Sequence, residues 1–232
     1  MVINVHAGHN PDGKKACGAC GLIKESTEAR KVKELVIKKL KALGHTVYDC
    51  TVNNGTDQTD VLKKIVAKCN AHKADLDVSI HFNAGAADSK GNGVSAGTEI
   101  LIYSDSGKAR EYAARTLKEI CRNGFRNRGI KTSKSLYVLN HTKAPAMLVE
   151  CCFVDDRDDV KLYSPETMAD AIVSGITGKE TRKSMDSTGQ YRVQCGAFKT
   201  KASADKLRKE LEKAGFKAVV VSGISEEGES PG

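Results

Sequence analysis

Four residues could together do hydrolytic chemistry, and three of them close apolar runs. Val2-Ile3-Asn4-Val5 leads to His9, Leu76-Asp77-Val78-Ser79-Ile80 to His81, and Met147-Leu148-Val149 to Glu150, while Glu25 follows a glycine-rich loop. Two histidines and a carboxylate form a common catalytic zinc set that leaves a coordination position open for water. The metal brings the pKa of that water down toward roughly 7 and polarises a carbonyl under attack. A further carboxylate can then carry the proton from water to a leaving nitrogen. His9, Glu25 and His81 are the expected ligands and Glu150 the expected proton carrier. Glu28 lies near the same helix start and is the rival to Glu25. A carboxylate inside Leu148-Val149-Glu150-Cys151-Cys152-Phe153 is costly unless paired, protonated or near a cation.

The elements that must position these residues alternate. Ala29, Val32, Leu35, Val36, Leu40 and Leu43 mark an apolar stripe on a helix over 27–43, with Gly44 at its stop. Further helices are expected from Gln58 to Ala71, from Lys108 to Arg122, and from Pro165 to near Gly178. Between them lie the His81 strand, a small polar loop from Gly85 to Gly97, and a strand from Thr98 to Tyr103. Alternating strands and helices predict an α/β sheet with helices on both faces. In such sheets the strand C-terminal ends meet at one crevice, so distant residues converge.

At these residues the chain resembles a known family. Ala7-Gly8-His9, Lys24-Glu25, Ser79-Ile80-His81-Phe82-Asn83-Ala84 and Pro145-Ala146-Met147-Leu148-Val149-Glu150 are similar to the successive motifs of the zinc-dependent N-acetylmuramoyl-L-alanine amidases, the amidase-3 type of phage endolysins and bacterial autolysins. Asn127-Arg128-Gly129 and Leu136-Tyr137-Val138-Leu139-Asn140 resemble the approach to that family's final strand. The resemblance covers about residues 1–177 and favours Glu25 over Glu28. It implies an open twisted mixed sheet flanked by helices on both faces. It also implies Zn2+ on His9, Glu25 and His81, Glu150 as the catalytic carboxylate, and cleavage of the amide between N-acetylmuramic acid and L-alanine. Asn83 and Asn140 are expected to touch substrate. The chain departs from the family at His6-Ala7 and Asn10 around the first histidine, and at Cys151-Cys152 after Glu150. A zinc peptidase or carboxypeptidase could use the same ligands, and a noncatalytic wall-binding protein is the remaining alternative.

Past the last helix the character changes. Residues 178–189 are polar and aperiodic, as a linker is. Tyr191-Arg192-Val193-Gln194-Cys195-Gly196-Ala197-Phe198 then alternates like a strand. Ala204, Leu207, Leu211 and Ala214 give a helix stopped by Gly215, and Ala218-Val219-Val220-Val221 a second strand. This stretch, 190–224, resembles half of a sporulation-related repeat (SPOR), a peptidoglycan-binding module, with a flexible tail over 225–232. One small βαβ module buries little surface alone. Pairing with a second copy in a homodimer is therefore expected; otherwise the module docks on the catalytic domain or frays.

Composition narrows the remaining choices. The 232 residues are 40% hydrophobic, enough for a full core, and no apolar run approaches the ~18–20 residues needed to span a bilayer. Met1 runs straight into a strand without a signal-peptide pattern. The expectation is a protein made in the cytoplasm and acting on the wall after holin-mediated or lytic release. A net charge of +8 suits a polyanionic wall. Nucleic acid is a poorer match, since aromatics are 5%, tryptophan is absent and acids are interspersed along the helices. The eight cysteines fit a reducing compartment as small buried hydrophobes, and Cys17-Gly18-Ala19-Cys20 has no second pair to complete a zinc site. His6, His45, His72 and His141 are expected to serve packing.

Overall fold

A computed structural model describes residues 1–179, 198, 200–216, 218 and 220. The chain divides into two compact units, 1–184 and 185–232. In chain order, the described residues of the first unit form β1 (Val2–Ala7), α1 (Glu25–Ala42), β2 (Thr46–Asp49), α2 (Gln58–Asn70), β3 (Leu76–Asn83), β4 (Thr98–Ile102), α3 (Gly107–Cys121), β5 (Asn127–Thr132), α4 (Tyr137–His141), β6 (Ala146–Phe153), α5 (Arg157–Leu162) and α6 (Pro165–Thr177). The six strands lie in the order β2-β1-β3-β6-β4-β5. β2, β1, β3 and β6 run parallel, while β4 is antiparallel to β6 and parallel to β5. The expected mixed α/β sheet is what forms.

Strand periodicity divides the side chains between two faces. Ile3, Val5 and Ala7 of β1, Val78, Ile80 and Phe82 of β3, and Met147, Val149 and Cys151 of β6 are buried in the main core with Val32, Val36 and Leu40 of α1 and Met168, Ile172 and Ile176 of α6. The intervening residues of the same strands, Asn4, His6, Ser79, His81, Leu148 and Glu150, face the other way. There, Cys69 and Ile65 of α2 cluster with Val138 of α4, and Leu139 of α4 packs on Ala146 and Leu148. The apolar face holds the sheet together, leaving polar groups on the other at its C-terminal edge.

Local signals explain several boundaries. α6 starts with Pro165 in its first turn and stops at Gly178, whose φ of 69° is left-handed. α2 is capped by Asp57, which accepts from Asp60 N. α1 begins at Glu25, two residues before the expected start, with Lys24 as an N-cap that offers no side-chain bond. Glu25 and Glu28 in its first turn complement the positive end of the helix dipole. No described helix is long and apolar enough to cross a membrane.

In the second unit, α7 (Lys201–Lys213) is capped by Thr200 and followed by Gly215 at φ 88°. Its residues Ala204, Leu207 and Leu211 are half-buried. The helix expected there is present. Most of the linker over 178–189, most of the two flanking strands and the tail over 225–232 lie outside the described residues.

Candidate metal centre

His9, Glu25 and His81 meet. One donor atom from each lies within 4.8 Å of the others, and no other such cluster of histidine, cysteine or acidic groups occurs among the described residues. Glu25 Oε1 stands 3.2 Å from His9 Nε2 and 3.0 Å from His81 Nδ1. The two rings are edge to face with centroids 4.8 Å apart. Glu28 points elsewhere, accepting from Lys31 Nζ at 2.8 Å and from the Tyr163 hydroxyl at 3.1 Å.

The Glu25 carboxylate and the His9 backbone are held from behind. Glu25 Oε1 accepts from Phe82 N at 3.1 Å, and Oε2 from Ala19 N at 2.7 Å. Ala19 sits between Gly18 and Cys20, so the Cys17-to-Cys20 stretch forms the seat of the Glu25 carboxylate. All the described cysteines are free. The His9 backbone is fixed by Arg30, which donates to His9 O at 2.6 Å, Ser26 O at 2.9 Å and Asn53 Oδ1 at 2.8 Å. Asn10 is fully buried and ties the following loop to Lys15 O and Gly55 O, both at 2.8 Å. Asn10 therefore supports the loop. Arg30 carried no sequence signal, lying among lysines on a helix.

The site also excludes side-chain bulk. A Cβ at Gly8 would stand 1.8 Å from His81 Nε2, and one at Gly18, where φ is 78°, would stand 2.4 Å from Glu25 Oε2. Two imidazole nitrogens and a carboxylate oxygen, converging, with the carboxylate fixed by outer hydrogen bonds, fit a divalent metal of the zinc type by donor chemistry.

Glu150 occupies the adjoining strand, with its Cα in register with His81 on one side and Glu99 on the other. Its Oε2 is buried with no hydrogen-bond partner. Burial first, then the charges of Glu25 and Glu99, push its pKa up to about 8. Burial also works to raise Glu25, but hydrogen bonds from His81 and His9 outweigh it and hold that carboxyl well below its ordinary range. His81 is shifted down by burial, against the pull of Glu25. His6 is fully buried, and burial followed by the charge of His81 lowers it to about 3, so its ring is neutral.

The two expected substrate contacts fare differently. Asn83 ends the ligand strand and donates to Glu99 Oε1 at 3.2 Å, with its own Oδ1 accepting from Ala84 N. Asn140 is exposed on α4, outside the donor cluster. The loop after Asn83 is tied down by aspartates after β6, a device the sequence reading missed because Asp155-Asp156-Arg157-Asp158-Asp159 looks like a solvated charge run. Asp155 accepts from Gly85 N at 2.9 Å and Ala87 N at 3.0 Å, and Asp158 from Asn92 N at 2.9 Å and Gly93 N at 2.7 Å. Asp159 accepts from Gly97 N at 3.0 Å and Phe153 N at 2.8 Å.

Comparison with known proteins agrees with this geometry. Residues 3–178 match the pattern of the N-acetylmuramoyl-L-alanine amidase family, and residues 187–230 match the SPOR domain. An uncharacterized protein of Clostridium perfringens (strain 13 / Type A) is 37% identical over 194 residues, covering 82% of this chain and 56% of that protein. The N-acetylmuramoyl-L-alanine amidase CwlM of Bacillus licheniformis is 34% identical over 171 residues, covering 72% of this chain and 64% of CwlM. The chain thus spans roughly half to two thirds of these curated relatives. Among solved structures, the catalytic domain of the CD27L endolysin targeting Clostridia difficile superposes with a TM-score of 0.70 at 26% identity, covering 78% of this chain and 99% of that one.

Proposed function

The chain belongs to the N-acetylmuramoyl-L-alanine amidase family, and from that premise we propose that it hydrolyses the amide joining the lactyl group of N-acetylmuramic acid to the L-alanine of the stem peptide. The observation that carries the reading is the convergence of His9, Glu25 and His81, with Glu150 in register with His81 on the neighbouring strand. His9, Glu25 and His81 would hold Zn2+, which supplies a Lewis acid for the lactyl carbonyl and a means of activating water at neutral pH.

The chain's own residues do the remainder. Glu150 takes the proton from the attacking water and delivers it to the alanine nitrogen as the C–N bond breaks. Its buried setting beside Glu25 and Glu99 raises its proton affinity, which suits a group that must release a proton to a departing amine. Phe82 N, Ala19 N and Arg30 keep the donor set from relaxing between turnovers. The SPOR-matching segment supports a role in holding the enzyme on peptidoglycan, and the basic chain would concentrate on an anionic wall. An endolysin or autolysin acting after lytic release fits these properties together.

The test is wall digestion by the full chain before and after chelation, with fragments identified by mass spectrometry. Intact stem peptides beginning with L-alanine, lost on chelation and restored by zinc, are expected. Fragments cut within the peptide would replace this reading with a zinc peptidase. Lysis indifferent to chelation would overturn the metal assignment.

A further inference from the structure

The strand row that carries the site continues past Glu150. Glu150 on β6 faces Glu99 on β4, and beyond β4 lies β5. The pairing of β4 with β5 slips at this point: Thr98 pairs with Asn127, but Ile100 pairs with Ile130. Arg128 and Gly129 therefore stand together against Glu99, and Gly129 takes a left-handed φ of 90°. Residues three apart on a regular strand point to opposite faces. The bulge instead brings Arg128 and Lys131 to the same one, where Arg128 Nε at 2.8 Å and Lys131 Nζ at 2.6 Å donate to a single oxygen of Glu99. Arg128 is braced further, donating to Ala96 O at 3.2 Å and lying over the Phe153 ring at 4.8 Å.

Two cations on one carboxylate leave one positive charge in excess. The side chains of Arg128 and Lys131 are 30% and 47% exposed, while that of Glu99 is 8% exposed. The cations thus reach solvent and the anion does not. Bulges commonly re-aim side chains beside active sites.

We infer that Arg128 and Lys131 form a subsite for a carboxylate of the departing stem peptide, the one borne by the residue after L-alanine. This inference rests on the amidase reading and deepens it. The direction of the substrate follows from the sheet. The donor set lies toward β1 and β3, and Glu150, which serves the leaving nitrogen, lies one strand further toward β5. The peptide beyond that nitrogen then runs toward β4 and β5, and the glycan the other way. Strands lie about 4.8 Å apart, so β5 is about 10 Å from β6. A peptide advances about 3.5 Å per residue, so the second residue arrives about 7 Å past the scissile bond, within reach of a long basic side chain. In peptidoglycan that residue is D-glutamate linked through its γ-carboxyl, and its α-carboxyl is free or amidated.

The experiment compares two soluble muramyl peptides that differ only in whether this α-carboxyl is the free acid or the amide. With zinc-loaded full chain, the ratio of kcat/KM should favour the acid by about tenfold, the equivalent of one 1.4 kcal/mol interaction. Lys131→Met should bring the ratio close to one, and Lys131→Arg should restore it. Calorimetric titration of both peptides onto the Glu150→Ala protein should give an affinity ratio that collapses in the same way when Lys131→Met is added. Equal cleavage and binding of the two peptides by wild type, or a ratio that Lys131→Met leaves unchanged, would overturn the subsite. Cleavage of neither peptide would instead refute the amidase reading, and the binding ratio would still decide the subsite.

Discussion

Replacing Gly18 with alanine separates backbone strain from damage to the metal centre, because the loop contains its own control. Gly13 and Gly18 have nearly the same left-handed φ, 80° and 78°. A Cβ at Gly13 would have nothing within 4 Å, whereas one at Gly18 would stand 2.4 Å from Glu25 Oε2 and 2.8 Å from His9 Cδ2. Left-handed backbone costs a non-glycine residue about 1–2 kcal/mol, so both variants should lose that much stability. Only Gly18→Ala must also move the Glu25 carboxylate off the Ala19 amide, 2.7 Å away. A hydrogen bond to a charged group contributes about 1.5–3 kcal/mol, and once lost it no longer orients the ligand. At about 1.4 kcal/mol per decade, zinc affinity should fall roughly ten- to hundredfold. Urea unfolding of the two apo variants measures the shared strain, and competition with a chromophoric chelator measures zinc affinity. Equal zinc affinity in Gly13→Ala and Gly18→Ala would refute the assignment of Glu25 as a seated ligand.

Two further outcomes follow from buried carboxyls. Glu150→Ala should keep the fold and bind zinc while kcat falls about 10²- to 10⁴-fold, the usual range for losing a proton-transfer group; near-wild-type release of stem peptides by that variant would remove Glu150 from the mechanism. Asp77 is 1% exposed, and burial, opposed by a hydrogen bond from Asn4, raises its pKa from 3.8 to about 6. Because the folded value is the higher one, its contribution is fully present below 3.8 and is lost as pH rises through about 6, at about 1.36 kcal/mol per unit. Asp77→Asn should therefore stabilise the protein at pH 8, by up to about 3 kcal/mol, and do little at pH 3.5. Urea midpoints at the two pH values check this, and equal shifts at both would refute it.

The parts of the site that sit on long apolar strands were legible in the sequence. His81 and Glu150 stand in or beside runs buried on the core face, so the strands and their polar ends could be read together. Glu25 was harder to place. Ser26 and Thr27 look like better helix starters than Lys24, yet α1 begins at Glu25 because its carboxylate is engaged by Phe82 N, Ala19 N and the two imidazoles. Tertiary bonds override local propensity there. β5 was missed as a strand because its bulge, at Arg128 and Gly129, breaks the alternation. β2 and α4, four and five residues long, are too short to show a period. Arg30 was missed because most of its bonds reach segments distant in sequence, among them His9 O and Val52 O.

The aspartates that hold the loop after Asn83 grip mostly backbone N–H groups, which every residue except proline carries. Such anchoring is blind to side-chain identity. The loop can keep its course while the side chains of Ser89, Lys90 and the 58% exposed Val94 change freely. What is barred is proline at 85, 86, 87, 91, 92, 93 or 97, and a Cβ at Gly97, which would stand 2.2 Å from Arg126 O, while any other residue at Gly85 or Gly93 takes on left-handed strain. The fold thus sets apart a short stretch whose side chains can vary without renegotiating the architecture, as an antibody varies its loops over a constant framework.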